Sequence, residues 1–352
     1  RQRQMCIRDR VRAGHKILIE HNAGLKAGFH DEDYAAAGAQ IVYSAKEAYG
    51  RADVVIKLGR PTEAEYANFQ PYQTIFSFLH LAVASPDLLK ILEKDKITAI
   101  GSETITTDDG THPILSTTSV IAGRMAPIIA GHLMGSFKDG RGILLSGIPG
   151  IPPAAVVIIG AGELGINAAR AFCNLGAEVT VLDNNIEALQ KVDTLFDGKM
   201  ATMFATPHNI SKVVKFADVL LTAAAVPGDR ASILVTREML KTMQRRAIIL
   251  DMAINSGGNV ETSRPTTLAD PSYIEEEIVH YCVPNVPSRV ARTGSYAYSN
   301  AILPYLLKIG ELGLEKALKA IPSLKRGVNT LEGELVHSGV EAAMDNDSEV
   351  AK

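Results

Sequence analysis

The sequence predicts an α/β protein built on parallel sheets and divided into two domains. Three observations carry this. Short apolar, strand-like runs alternate with helical segments along most of the chain. One such run, 155–159, leads directly into Gly160-Ala161-Gly162-Glu163-Leu164-Gly165 and then into a helical pattern. Finally, 352 residues suggest about two domains, at roughly 100–200 residues each.

Taken in order, "KILIE" (16–20) reads as a strand, and "DEDYAAAGA" (31–39) as a helix that opens on acids and closes at Gly38. Further strands are expected at 40–44, 53–57, 74–78 and 97–101. Among the helices between them, "SPDLLKILEK" has Ser85 as N-cap and Pro86 in its first turn. Residues 117–138 form one long apolar helix, kinked at Pro127 and suited to bridging two domains. A Gly/Pro-rich stretch, 139–154, precedes a second α/β series with strands at 155–159, 178–182, 217–222, 247–253 and 278–283. The chain then returns to helix at 299–313, and its last dozen residues are polar and read as frayed. The first ten, "RQRQMCIRDR", show no apolar periodicity. They read as a non-native stub, similar to translated adapter sequence, with the native start missing.

Bulk composition bounds the function. With 46% hydrophobic and 21% charged residues the chain can bury a large core. A net charge of -3 provides no field that would gather nucleic acid or an anionic membrane. No apolar run of about 18 residues is read, so no bilayer span is expected. Cys6, Cys173 and Cys282 are scattered without metal spacing, and they read as two buried thiols and one exposed thiol in a reducing cytosol, with no metal site.

The unit 155–185 carries the strongest chemical signal. Gly160 permits a tight turn, Gly162 lets a pyrophosphate approach the backbone, and Gly165 lets helix and strand pack closely. The helix N-terminus offers free N–H groups and partial positive charge to phosphates. Asp183, 18 residues after Gly165, can accept hydrogen bonds from ribose hydroxyls. It would repel a 2′-phosphate, and Asn184 and Asn185 supply no compensating cation, which favours NAD over NADP. The same unit is also compatible with a plain strand–turn–helix that binds nothing. A second candidate is "AIILDMAINSGG" (247–258), a buried strand that stops abruptly near Asn255. Ligands of open α/β sheets sit beyond the carboxyl ends of strands. An Asn there can donate and accept hydrogen bonds but cannot carry a proton.

From about Gly14 to Gly333 the chain resembles the alanine dehydrogenase family, within the alanine dehydrogenase/pyridine nucleotide transhydrogenase superfamily. The strings that carry the resemblance include "DEDYAAAGAQIV", "FSFLHLA", "GSETI", "VIAGRMAP", "GRGILLSGIPGIPPA", "VVIIGAGELGINAAR", "GGNVETSRPTT" and "HYCVPNVPSRVARTGSYAYSNAILPYLL". The resemblance implies two Rossmann-like parallel-sheet domains, with an NAD domain inserted in a discontinuous substrate domain. The corresponding limits are 11–116 and 292–345 for the substrate domain and 117–291 for the NAD domain. It implies NAD-dependent, reversible oxidative deamination of L-alanine to pyruvate and ammonium by a cytoplasmic homo-oligomer, usually a hexamer.

Carried over residue by residue, the resemblance makes His80 the catalytic and substrate-binding histidine, at a strand's carboxyl end where an imidazole can exchange protons near neutral pH. A core histidine satisfied by backbone is the bland alternative. Asn255 stands where the family has a catalytic Asp, and Gly59 where it has a substrate-binding Lys. Arg60, next door, could supply the missing charge and is a candidate substrate ligand, although adjacent side chains on extended backbone point opposite ways. The family's carboxylate-gripping Arg in the first strand–loop has no counterpart. Cofactor contacts implied are Ser119, Gly160, Gly162, Glu163, Leu164, Gly165, Asp183, Ala224, Ala225, Met252, Asn255, Arg264, Val283, Asn285 and Val286. Ala188 and Ala205 replace a Lys and a Ser of the family and remove polar contacts. Two other readings fit the departures: a related dehydrogenase acting on another amino or imino acid, and a catalytically impaired, transhydrogenase-like NAD-binding protein.

Overall fold

A computed structural model describes residues 2–138 and 140–343. Among the described residues fourteen strands are formed: β1 (Leu18–Glu20), β2 (Gln40–Val42), β3 (Val54–Ile56), β4 (Thr74–Ser77), β5 (Thr98–Gly101), β6 (Ala155–Ile159), β7 (Glu178–Asp183), β8 (Ala201–Phe204), β9 (Val219–Thr222), β10 (Ile248–Asp251), β11 (Ser272–Glu275), β12 (Ile278–Tyr281), β13 (Val328–Leu331) and β14 (Glu334–Leu335). The chain divides into two compact units, one comprising Arg1–Thr118, Pro227–Asp229 and Val290–Lys352, the other Ser119–Val226 and Arg230–Arg289.

The second unit is a seven-stranded sheet in the order β11-β12-β10-β9-β6-β7-β8. Six of its strands run parallel, and only β11 joins antiparallel, on β12. From β8 to β12 the order is that of a doubly wound dinucleotide-binding sheet, which reverses beside β6. Its central strands read as unbroken apolar runs because both faces are covered. Along β6, Val156 and Ile158 enter the core on one side, while Val157 and Ile159 enter the core on the other. The alternation repeats on β10, with Ile248 and Leu250 opposed to Ile249.

The long helix Pro113–Met134 contributes Ala122, Ala126, Ile129, Ala130, Leu133 and Met134 to the first of these cores. By length and a mean hydropathy of 1.3 it is apolar enough to cross a bilayer, which corrects the expectation that no run of that length and hydropathy is present. Its inward face is explained by core packing, because Gly123 lets it approach the helix Glu163–Asn174 closely. A Cβ at Gly123 would lie 2.5 Å from the Leu164 carbonyl oxygen and 2.8 Å from the Ala168 nitrogen.

In the first unit, a five-stranded sheet has the order β14-β13-β5-β4-β3. The strands β3, β4 and β5 are parallel. The strand β13 returns late in the chain and pairs antiparallel with β5 and β14. The two first strands, β1 and β2, form a separate parallel pair. Phe76 and Ile100 pack under the helix Ala291–Leu312, through Tyr298, Ile302 and Tyr305. Ile75 and Ala99, on the opposite face, pack against Leu88 and Leu92 of the helix Pro86–Lys94.

Residues 2–12 form a helix, where no element was expected. Ile7, 2% exposed, and Val11 lie one turn apart and reach the same cluster as Ala27, Phe29 and Tyr34. Cys173 is exposed and Cys282 buried. The expectation of a frayed tail falls, from residue 344 on, outside the described residues.

Phe172 is fully buried where the helix Glu163–Asn174 meets the sheet. Phe172→Ala should destabilise the second unit by about 3–5 kcal/mol, read as a lower midpoint in urea unfolding followed by circular dichroism.

Candidate active site

In the second unit, β6 runs into a tight glycine turn. Gly160 has φ +108°, and a Cβ there would lie 2.7 Å from the Ala223 carbonyl oxygen. A Cβ on Gly165 would sit 1.8 Å from the Gly160 carbonyl oxygen, so only glycine allows the helix to start this close to the strand. Gly162 is the N-cap of the helix Glu163–Asn174, and the space where its Cβ would stand is open. The result is a cradle: a helix N-terminus, with its unsatisfied N–H groups, facing free volume. Glu163 is turned along the helix, its Oε1 accepting from Asn167 Nδ2 at 2.9 Å. Leu164 packs partly on the core. Ser119 lies one turn before Gly123, the point at which the long helix touches this one.

Asp183 ends the neighbouring strand, β7. Its carboxylate accepts the N–H groups of Ala161, at 2.6 Å, and Asn185, at 2.8 Å. It is half-buried, so one face remains open beside the cradle.

The loop after β10 folds around a different carboxylate. Asp251 is 1% exposed. It accepts from the Thr222 hydroxyl at 3.0 Å and from the N–H groups of Ala253, Asn259 and Val260 at 3.1, 2.9 and 3.2 Å. Burial pushes its carboxyl above the ordinary range, and hydrogen bonds from Ser263, Thr222 and the loop amides oppose that rise. Asn259, fully buried, extends the network: its Oδ1 accepts the Ala224 N–H at 3.0 Å, and its Nδ2 donates to the carbonyls of Ala224 and Ser232. The segment carrying Met252 and Asn255 is thereby tied to the segment carrying Ala224 and Ala225.

Other predicted contacts are arranged less directly. Arg264 lays its guanidinium 3.9 Å above the Tyr273 ring. Val283 and Val286 point into the core, so contact with a ligand there would come from backbone. Asn285 adopts φ 53° between them, and its carbonyl accepts from Ser288.

In the first unit, His80 follows β4 in the left-handed region, at φ 43° and ψ 52°. For a residue with a Cβ this conformation costs about 1–2 kcal/mol, and it persists where surrounding bonds enforce it. Here they do. Glu103, 1% exposed, accepts the N–H groups of Leu79 and His80 at 3.1 and 2.6 Å. Arg60 donates to the carbonyls of Leu79, Val83 and His80 at 2.6, 3.2 and 3.0 Å. The imidazole is half-buried and stacks on Phe78, with ring centroids 6.1 Å apart. Burial lowers its pKa below the ordinary 6.5, Glu103 works against that, and Arg60 reinforces it. A Cβ at Gly59 would meet nothing within 4 Å. Lys57, two residues before Gly59, is ion-paired with Glu65.

Sequence reasoning gave no role to Glu103, Asp251 or Asn259. The available signal was positional: a carboxylate at the carboxyl end of an apolar strand, at "IGSE" and "IILD". Among the described residues no group of three or more His, Cys, Asp or Glu side chains could hold a metal ion.

The domain pattern "Alanine dehydrogenase/PNT, N-terminal domain" matches residues 6–122, and "Alanine dehydrogenase/PNT, C-terminal domain" matches residues 126–338. An alanine dehydrogenase of Methanococcus maripaludis is 42% identical over 336 residues, covering 95% of this chain and 90% of the relative. One of Halomonas elongata is 40% identical, covering 96% and 90%. A solved structure of an L-alanine dehydrogenase superposes with a TM-score of 0.86 at 39% identity, covering 97% of this chain and 94% of that one. A transhydrogenase structure from Sinorhizobium meliloti, 23% identical with a TM-score of 0.74, shares the fold.

The two glycines separate folding from binding. Gly162→Ala places its methyl in open space, so thermal stability should fall by no more than about 1 kcal/mol while NADH binding weakens about tenfold or more. Gly165→Ala should impair both. The chain has no Trp, so NADH fluorescence enhancement reads binding without an indole background.

Proposed function

The chain belongs to the alanine dehydrogenase/PNT family, and on that premise we propose that it catalyses the reversible oxidative deamination of L-alanine, in which L-alanine, water and NAD+ give pyruvate, ammonium and NADH. The observation that carries the reading within this chain is the open cradle at Gly162, at the start of the helix Glu163–Asn174, with the Asp183 carboxylate at the end of the adjacent strand. That arrangement fits NAD. The helix N-terminus and glycine backbone would hold the pyrophosphate, with Ser119, Glu163 and Leu164 alongside. Asp183 would take the adenosine ribose and disfavour a 2′-phosphate. Ala224 and Ala225 would border the adenosine or the nicotinamide ribose. Met252, Asn255, Val283, Asn285 and Val286 would flank the nicotinamide, with Arg264 nearby. When bound, NAD+ supplies the two-electron acceptor.

The residues of the chain hold substrate and move protons. His80, kept neutral by burial, accepts a proton from the substrate side and returns it in the reverse direction. Asn255 orients by hydrogen bonding and leaves the proton transfers to His80 and water. The protein is read as a cytoplasmic homo-oligomer, a hexamer as in its family. A second reading, a related dehydrogenase with a larger or differently charged amino acid as substrate, is favoured by the free space at Gly59.

A panel of small amino acids with NAD+ and NADP+ tests the assignment. L-alanine should give the fastest rise in NADH absorbance, with NADP+ about tenfold poorer or worse; a faster rise with a larger amino acid selects the second reading, and no rise with any defeats both. His80→Gln should lower kcat about a hundredfold or more and remove an acid limb of kcat/KM lying below pH 6.5, the ordinary imidazole value. Asn255→Asp should raise turnover, since it restores a basic group, and initial rates against pH would show it.

A further inference from the structure

We propose that Glu103 and Arg60 form a charged clamp that positions His80 for proton transfer, acting on the backbone around it rather than on substrate. The inference rests on the reading of His80 as proton acceptor. Three adjacent strands of one sheet, β3, β4 and β5, end side by side. Arg60 follows β3, His80 follows β4 and Glu103 follows β5, so the imidazole stands in the middle of a row with opposite charges at either end. Glu103 divides its oxygens between two peptides, Oε2 to the Leu79 N–H and Oε1 to the His80 N–H. Arg60 divides its nitrogens among three, Nε to Leu79, Nη2 to His80 and Nη1 to Val83.

Leu79 and His80 therefore have both the N–H and the C=O of their own peptide groups held by ionised side chains. Charge-assisted bonds of this kind are the strong ones, and they hold a left-handed residue that has no glycine to ease it. A guanidinium with three nitrogens on carbonyls faces the loop, which makes Arg60 a positioning residue in place of the substrate ligand that its neighbourhood to Gly59 suggested. The surrounding ionisable groups are few. His337 and Tyr298 feel the Glu103 charge, and Tyr66 faces Arg60. On the imidazole itself the two clamp members act in opposite senses, Glu103 favouring the protonated form and Arg60 the neutral one.

The test uses the assembled full chain as wild type, Glu103→Gln, Arg60→Met and Arg60→Lys. Histidine C2-hydrogen exchange read by mass spectrometry gives the titration of His80, and kcat/KM is followed against pH in parallel. Glu103→Gln should move the titration to lower pH and Arg60→Met to higher pH, each by about half a unit or more. Arg60→Lys should leave the titration in place yet lower kcat about tenfold, because it keeps the charge and loses the fork. Shifts in the same direction, or none, overturn the clamp. If Glu103→Gln does not fold, Arg60→Met against Arg60→Lys decides alone: a shift with Met and none with Lys upholds the clamp, and any other pattern overturns it. A divided titration with an unmoved acid limb keeps the clamp and removes His80 as the acceptor. An undivided titration with a limb that follows it does the reverse.

Discussion

A carboxylate held inside the protein, accepting backbone N–H groups just past the end of a strand, is the interaction on which the rest depends. A strand inside a parallel sheet satisfies its peptides by pairing, but the first residues beyond it have no ladder. Buried and unpaired, each such N–H would cost on the order of 1–3 kcal/mol. Asp251 takes three of them, from Ala253, Asn259 and Val260, and Glu103 takes two, from Leu79 and His80. Burying a carboxylate is itself unfavourable, as the raised pKa of Asp251 records. The two costs offset one another only when both are brought to the same place, which fixes the shape of the loops carrying Asn255 and His80.

Three carboxylates stand at comparable positions, and burial assigns each its task. Asp183 is half-buried and accepts two N–H groups of the chain. Asp251 and Glu103, each 1% exposed, are spent on the backbone. Asn259 completes the pattern with a neutral group: its amide mimics a strand partner for Ala224, binding both its N–H and its C=O.

Much of the second unit was legible in the sequence because its central strands are covered on both faces and therefore print as continuous apolar runs. The glycine loop was legible because each glycine answers a steric demand, most sharply at Gly165. β8 was not, since it is an edge strand with mostly exposed residues. β13 and β14 were missed for a different reason. β13 pairs with β5 across more than two hundred residues, and no local pattern encodes a partner so distant. The direction of the Arg60 side chain was equally hidden. Its sequence neighbourhood beside Gly59 suggested a substrate ligand, whereas the carbonyls it meets come from residues 79, 80 and 83.

Amide hydrogen exchange, resolved to single residues by fragmentation, tests the central claim most directly. The amides of Leu79, His80, Ala253, Asn259 and Val260 lie outside strands, yet they should exchange as slowly as the ladder amides of β4 and β10. Exchange at the rate of solvent-exposed turns would contradict it, because peptides held by buried carboxylates cannot open to water without exposing the charge as well.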